Sequence, residues 1–164
     1  MPSRASSSAS LAEPAACRLG FPDPTMHASA PFETLKQIRF HHCDPAGIVF
    51  YPQYFVLMNE LVEDWFNRAL GVDFARFHTE MRRGIPMAHI ECDFLAPSKI
   101  GETLSFGLWV EKIGDSSLRL AVEARAGDET RVRATLVVVH ASLDTRRAVP
   151  LTPEFREKLA RFVR

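Results

Sequence analysis

The spacing of apolar residues divides this 164-residue chain into segments with a helical period and segments with a strand period. Residues Phe32–His41 alternate imperfectly between apolar and polar and predict a first, half-buried strand. From Pro52 to Leu70, apolar residues recur at steps of three and four, which predicts a long amphipathic helix that ends before Gly71. Residues Val72–Gly84 show no clear period, and we expect a turn or an irregular connection there.

After Gly84 the period is two, and turn residues divide the remaining sequence into four predicted strands, with breaks at Pro97, Gly101, Gly114–Asp115 and Gly127–Asp128. The last strand, Thr130–Leu143, contains a continuous apolar run and is therefore expected near the middle of the sheet. Thr152 and Pro153 predict the start of a short terminal helix. This order of elements predicts an α+β domain in which one antiparallel sheet buries one long helix.

Composition and charge exclude several classes of protein. Twenty basic residues balance twenty acidic ones, so the chain lacks the basic field that a nucleic-acid binder needs. No apolar run approaches the ~20 residues that cross a bilayer, so we expect no membrane association. The three cysteines are widely spaced and odd in number, which favours a reducing, cytoplasmic setting.

The first thirty residues are rich in Ser, Ala and Pro and show no periodicity. Residues 1–30 are therefore predicted to be a disordered leader. Either an organelle transit peptide or a start-site error with Met26 as the true start explains this segment. Residues 31–164 are predicted to form a single domain with a short C-terminal helix.

The densest cluster of residues that could take part in catalysis is His41–Pro52, which lies between the first strand and the start of the long helix. A helix N-terminus offers unpaired N–H groups, and Asp44 lies just before it, an arrangement that suits acyl transfer. Alternatively, Asp44 and Pro45 before a glycine form only a turn. The adjacent residues His41 and His42 would point to opposite faces of a strand and have no third partner at a recognisable spacing, so we predict no metal site. The sequence contains no nucleotide-binding motif and no cofactor is predicted.

The stretch CDPAGIVFYPQYF, Cys43–Phe55, followed by a long apolar helix and four strands, resembles the hotdog-fold acyl-CoA thioesterases of the 4-hydroxybenzoyl-CoA thioesterase type. The resemblance implies a hotdog fold, an antiparallel sheet of about five strands wrapped around one long central helix. It also implies a homodimer with a continuous sheet, often assembled into a homotetramer, and an active site at the subunit interface.

The same resemblance implies an enzyme that hydrolyses an acyl-CoA thioester, with aryl-CoA as the favoured substrate. Asp44 would be the catalytic carboxylate, acting as a nucleophile or as a general base, and the backbone N–H of Tyr51 would polarise the thioester carbonyl. The expected substrate-binding residues are Gly47, Pro86, Met87, His89 and Lys112. Pro86, Met87 and His89 follow Gly84 and would be supplied by the partner subunit. Lys112 would contact the CoA phosphates, with Arg119, or Arg146 and Arg147, as alternatives.

Two other functions fit the same fold. A hydratase or dehydratase acting on acyl thioesters would pair an acidic residue with a histidine, for which His41, His42 and His89 are candidates. A non-catalytic module that binds acyl thioesters would keep the pocket without turnover, although such a module has no need of Asp44 beside the carbonyl.

Overall fold

The long helix dominates the computed structural model, which describes residues 29–164. Helix α1 covers Pro52–Trp65 and continues as a π-helical turn over Phe66–Leu70. Proline at the first helical position fits the start of the helix because its missing N–H needs no partner there. Gly71 ends the helix in the left-handed conformation with φ +61°. The helix predicted from Pro52 to Leu70 is confirmed.

The main sheet of the domain is antiparallel and has five strands. Its strands, in spatial order, are β1, β4, β5, β6 and β3, and the four strands predicted after Gly84 correspond to β3–β6. A separate pair of short strands, β2 and β7, forms a second sheet. The strand bounds are β1 Phe32–Gln37, β2 Arg83–Gly84, β3 Met87–Phe94, β4 Thr103–Ile113, β5 Ser117–Ala126, β6 Glu129–Val139 and β7 Ala141–Ser142.

The core lies between α1 and one face of this sheet. Alternate residues of β4 and β5 are buried, as their period of two predicts: Leu104, Phe106, Leu108, Val110, Leu118, Leu120, Val122 and Ala124. The helix contributes Leu57, Leu61 and Trp65, each 1% exposed or less. The predicted terminal helix is present as α3, Pro153–Ala160, and the Thr152 side chain accepts a hydrogen bond from the Phe155 N–H.

The first strand is shorter than predicted, and only one of its two apolar residues lies on its inner face, since Phe32 packs against the core and Leu35 does not. It ends at Gln37, and the chain then forms a 3₁₀ turn over Phe40–His42. Leu35 is 72% exposed, whereas the neighbouring Lys36 turns towards α1 and forms an ion pair with Glu60 at 3.0 Å. The contact with the helix, rather than the hydrophobicity of the strand, decides which face is covered.

The segment Val72–Gly84 is more regular than predicted. Residues Phe74–Thr79 form a short helix, α2, whose first turn is capped by the Asp73 side chain accepting from the Arg76 N–H at 2.9 Å. Phe77 of this helix packs against Phe66 with ring centroids 5.5 Å apart. A six-residue helix is too short to show a period, so tertiary packing stabilises what the sequence pattern does not reveal.

The last predicted strand, Thr130–Leu143, is interrupted at His140. Strand β6 ends at Val139, and β7 leaves the main sheet to pair with β2. Strand β6 lies between β5 and β3, so it is an interior strand as expected, although β5 is the central one.

Two further predictions concern the ends and surroundings of the chain. The predicted leader, residues 1–30, falls outside the described residues except for the last two positions, and its separation from a domain at 31–164 stays a prediction. Among residues 29–164, no helix combines the length and the apolar character needed to span a bilayer.

Candidate active site at the start of the long helix

A small hairpin presents the predicted catalytic residues immediately before α1. The Asp44 N–H donates to the Ile48 carbonyl at 3.0 Å, and the Phe50 N–H donates to the His42 carbonyl at 2.9 Å. Gly47 turns the chain with φ +76°, a conformation that strains any residue with a side chain. The hairpin therefore holds Asp44 and the helix start on one ordered backbone segment.

The Asp44 carboxylate is oriented by its own turn. Its Oδ1 atom accepts a hydrogen bond from the Ala46 N–H at 2.8 Å, while the Gly47 N–H donates to the Asp44 carbonyl at 2.9 Å. Within residues 29–164, Oδ2 accepts no hydrogen bond, and the side chain is half-buried. One oxygen is thus fixed and the other is free to meet a substrate carbon or a water molecule.

The start of α1 leaves one backbone donor unused. The Gln53 N–H donates to the Phe50 carbonyl at 2.8 Å, the Tyr54 N–H donates to the Tyr51 carbonyl at 3.1 Å, and Pro52 has no N–H. The Tyr51 N–H has no acceptor in the described part of the chain. Because it lies at the positive end of the helix dipole, it is suited to polarising a carbonyl oxygen.

An aromatic groove of about 260 Å³ adjoins the helix start. The Phe94 ring lies 6.1 Å from the Tyr51 ring and 5.8 Å from the Tyr54 ring, and Pro97 completes one side. Phe94 is 47% exposed, so the groove opens at the surface of this chain. The arrangement offers flat apolar walls to an aromatic group.

Sequence reasoning missed the residues that build this groove. The Tyr54 hydroxyl donates to the Ser98 Oγ at 2.8 Å, and burial raises the pKa of the Tyr54 phenol. The Ser98 carbonyl accepts from the Val49 N–H at 2.9 Å, which ties the groove to the Asp44 hairpin. Tyr54 belongs to the recognised motif, but Phe94 and Ser98 lie some forty residues away from it, and nothing local connects them to it.

The structure brings Asp44, Gly47 and Tyr51 together, but it places the other four predicted residues at the opposite end of the sheet. Residue Ile48 of the hairpin pairs with Lys99, just before β4 begins at Thr103. Lys112 lies nine residues further along β4, which corresponds to about 30 Å of extended strand. The same distant end carries the remaining three residues, Pro86, Met87 and His89.

The histidines and cysteines near Asp44 have other surroundings. His42 is buried, and its Nδ1 accepts from the Arg39 N–H at 3.0 Å within the 3₁₀ turn. Burial lowers the pKa of His42, and the neighbouring His41 lowers it further. Burial and the nearby Asp44 charge raise the pKa of Cys43, which disfavours a thiolate nucleophile. In residues 29–164 no group of three or more potential ligands is placed to hold a metal ion.

Several proteins of similar sequence are named as CoA thioester hydrolases. The sequence profile of the thioesterase-like superfamily matches residues 38–159. The 1,4-dihydroxy-2-naphthoyl-CoA hydrolase of Synechococcus elongatus is 28% identical over 135 residues, covering 79% of this chain and 96% of the relative. The corresponding hydrolase of Nostoc punctiforme is 25% identical over 117 residues, covering 70% of this chain and 78% of its own.

Two solved structures share the fold at lower identity. A 1,4-dihydroxy-2-naphthoyl-CoA thioesterase from Synechocystis superposes with a TM-score of 0.72 at 21% identity, covering 79% of this chain and 95% of its own. A gentisyl-coenzyme A thioesterase gives a TM-score of 0.72 at 21% identity, covering 78% and 99%. These superpositions confirm the predicted hotdog fold.

Proposed function

This chain belongs to the thioesterase-like superfamily, and on that premise we propose that it hydrolyses an aryl-CoA thioester to the free acid and CoA. One observation carries the proposal. A carboxylate with a free oxygen, an unpaired amide at a helix start and an aromatic groove adjoin one another around a single hairpin. A binding module would need only the groove, whereas thioester hydrolysis uses all three.

Asp44 acts on the carbonyl carbon in one of two ways. As a nucleophile, its free oxygen attacks the thioester carbon, the C–S bond breaks, the CoA thiolate leaves, and water hydrolyses the resulting mixed anhydride. As a general base, it takes a proton from the water that attacks the same carbon. In both routes the Tyr51 N–H donates to the oxyanion, and a thiolate leaves without a strong general acid.

The aryl preference rests on the groove and on the relatives. Tyr51, Tyr54 and Phe94 surround the groove with ring faces and edges, which favour another aromatic ring in offset or edge-to-face contact. The relatives named above carry naphthoyl-CoA and gentisyl-CoA in their names. We therefore propose that the substrates of this chain are CoA thioesters with an aromatic acyl group.

A homodimer would complete the site. Strand β3 lies at an edge of the sheet, and all but one of its eight residues are exposed. Its outer backbone groups are therefore free to pair with a strand of another subunit. Two copies of β3 could pair antiparallel with a two-fold axis between Ile90 and Glu91. The partner subunit's Met87 would then lie beside Phe94. This arrangement accounts for predicted substrate residues that lie far from Asp44 within one chain.

The remaining parts of the proposal concern assembly, CoA and compartment. Lys112 is exposed and is the candidate contact for the CoA phosphates. Two such dimers would assemble into a homotetramer. The free cysteines Cys43 and Cys92 agree with a reducing, cytoplasmic setting.

A panel of CoA thioesters tests the proposal, with naphthoyl, benzoyl, 4-hydroxybenzoyl, acetyl, hexanoyl and palmitoyl esters followed by release of free thiol. We expect the aryl esters to be hydrolysed fastest. Asp44→Asn should lower kcat about 10²–10⁴-fold. Asp128→Asn serves as the matched control because Asp128 lies in the exposed β5–β6 turn.

Three outcomes would contradict the proposal. Wild-type turnover in Asp44→Asn would remove Asp44 from the mechanism, and a preference for palmitoyl-CoA would refute the aryl assignment. Hydration of an enoyl-CoA without thiol release would favour the hydratase alternative.

A further inference from the structure

A second cavity, of about 330 Å³, lies at the opposite end of α1 from Asp44. It is bordered by Val72, which follows the helix, by α2 and α3, and by the junction of β6 and β7. Within one chain, the helical run Pro52–Leu70 separates the two sites by about 28 Å along its axis. The two cavities share no lining residue, and this one has the volume of a small-molecule site, typically about 300–1,000 Å³.

Aromatic rings form one wall of this cavity. The His140 ring stacks on Phe77 with centroids 6.0 Å apart and planes inclined by 29°, and the Phe155 ring lies 6.4 Å from the His140 ring. Val72 and Met81 add aliphatic surface. The walls therefore match a flat, largely apolar ligand.

His140 contributes a directed polar group. Its side chain is 8% exposed, and its Nδ1 atom lies 2.8 Å from the Val149 carbonyl oxygen. A carbonyl only accepts, so Nδ1 carries the proton, and Nε2 of the neutral ring is left as an acceptor. Among the described residues nothing donates to Nε2, which suits a ligand hydroxyl group.

The rim of the cavity carries a net positive charge. Arg83 and Lys158 both line it, and neither forms an ion pair with a residue in the range 29–164. Glu154 is the one acidic residue of the lining. Arg83 and Lys158 against Glu154 give the lining a net charge of +1, which favours a ligand with one negative charge.

From these features we infer that this cavity binds an aromatic monocarboxylic acid, with the ring against Phe77, His140 and Phe155 and the carboxylate beside Arg83 and Lys158. A hydroxyl group on the ring would donate to His140 Nε2. The acid released by the proposed reaction is of this class. Only that connection rests on the proposed function, because the cavity's chemistry is independent of Asp44.

Calorimetric titration of the full chain with 2-naphthoate tests the inference without any turnover. We expect a saturable site that is retained both in Asp44→Asn and in Phe94→Ala. The double variant Arg83→Gln/Lys158→Gln should weaken binding about tenfold or more, since it removes both charged partners of the carboxylate. Arg68→Gln, a surface substitution in the π-helical turn that follows α1, is the matched control and should bind like the wild type.

Two ligand comparisons probe the same geometry, and the part of each that is measured on the wild type does not depend on the folding of a variant. 2-Naphthol lacks the carboxylate and should bind more weakly than 2-naphthoate and respond little to the double variant. 6-Hydroxy-2-naphthoate should bind more tightly than 2-naphthoate, and His140→Phe should remove that difference. Absence of saturable binding would overturn the inference. So would binding that survives the double variant but is lost in Phe94→Ala, since it would then belong to the groove beside Tyr51.

Discussion

The hydrogen bond between Tyr54 and Ser98 connects the stability of the domain to the geometry of the candidate active site. The two side chains are 3% and 0% exposed, and their oxygens lie 2.8 Å apart. The Ser98 carbonyl also accepts from the Val49 N–H, so this contact anchors the hairpin that carries Asp44. Removing the Tyr54 hydroxyl should therefore affect both unfolding and turnover.

The size of the effect follows from burial. Tyr54→Phe preserves the ring and leaves the Ser98 hydroxyl buried without its partner, which costs about 1–3 kcal/mol of unfolding free energy. Ser98→Ala leaves the Tyr54 hydroxyl unpaired and should cost a similar amount. The double variant leaves neither group unpaired, so it should lose less than the sum of the two single variants.

Urea denaturation at one fixed protein concentration measures these differences. With an m-value of about 2 kcal/mol/M, each single variant should lower the midpoint by roughly 0.5–1.5 M. Tyr51→Phe is the control, because Tyr51 is 55% exposed and its hydroxyl has no partner in the described residues, and it should change stability by less than about 0.5 kcal/mol. Strict additivity of Tyr54→Phe and Ser98→Ala would refute the reasoning.

Two other predictions follow from local chemistry. Burial raises the pKa of Cys92 to about 11, so at pH 8 its thiol should react with iodoacetamide more slowly than glutathione does. Its rate, followed by peptide mass spectrometry, should rise about tenfold per pH unit towards that pKa, and a glutathione-like rate at pH 8 would contradict the assignment. Gly71→Ala should destabilise the domain by about 1–2 kcal/mol in thermal or urea unfolding because φ there is +61°. Gly71→Asn should cost less, and equal losses would argue against backbone strain.

Local periodicity was sufficient for the major elements of the fold. Helix α1 and strands β4 and β5 each run for ten or more residues, long enough for their buried positions to repeat. Helix α2 and the two-residue strands β2 and β7 escaped prediction. Helix α2 has six residues and depends on Phe77 packing against Phe66, a contact between elements that no local pattern records.

The candidate site was predictable only where it is continuous in sequence. Asp44, Gly47 and Tyr51 lie within eight consecutive residues, so the motif alone was enough to group them. Phe94 and Ser98 reach the same place through the pairing of strands far apart in the chain. Their place in the site depends on the topology of the sheet, which a local pattern does not contain.

The class of fold, the long helix and the position of Asp44 before that helix could all be inferred from residues that are neighbours along the chain. The tertiary structure decided which end of the sheet each candidate residue occupies. It put Lys112 and Met87 at the end remote from Asp44, and it left β3 as an exposed edge. Strand order and register are set by the burial of side chains from separate elements, so only the folded chain specifies them.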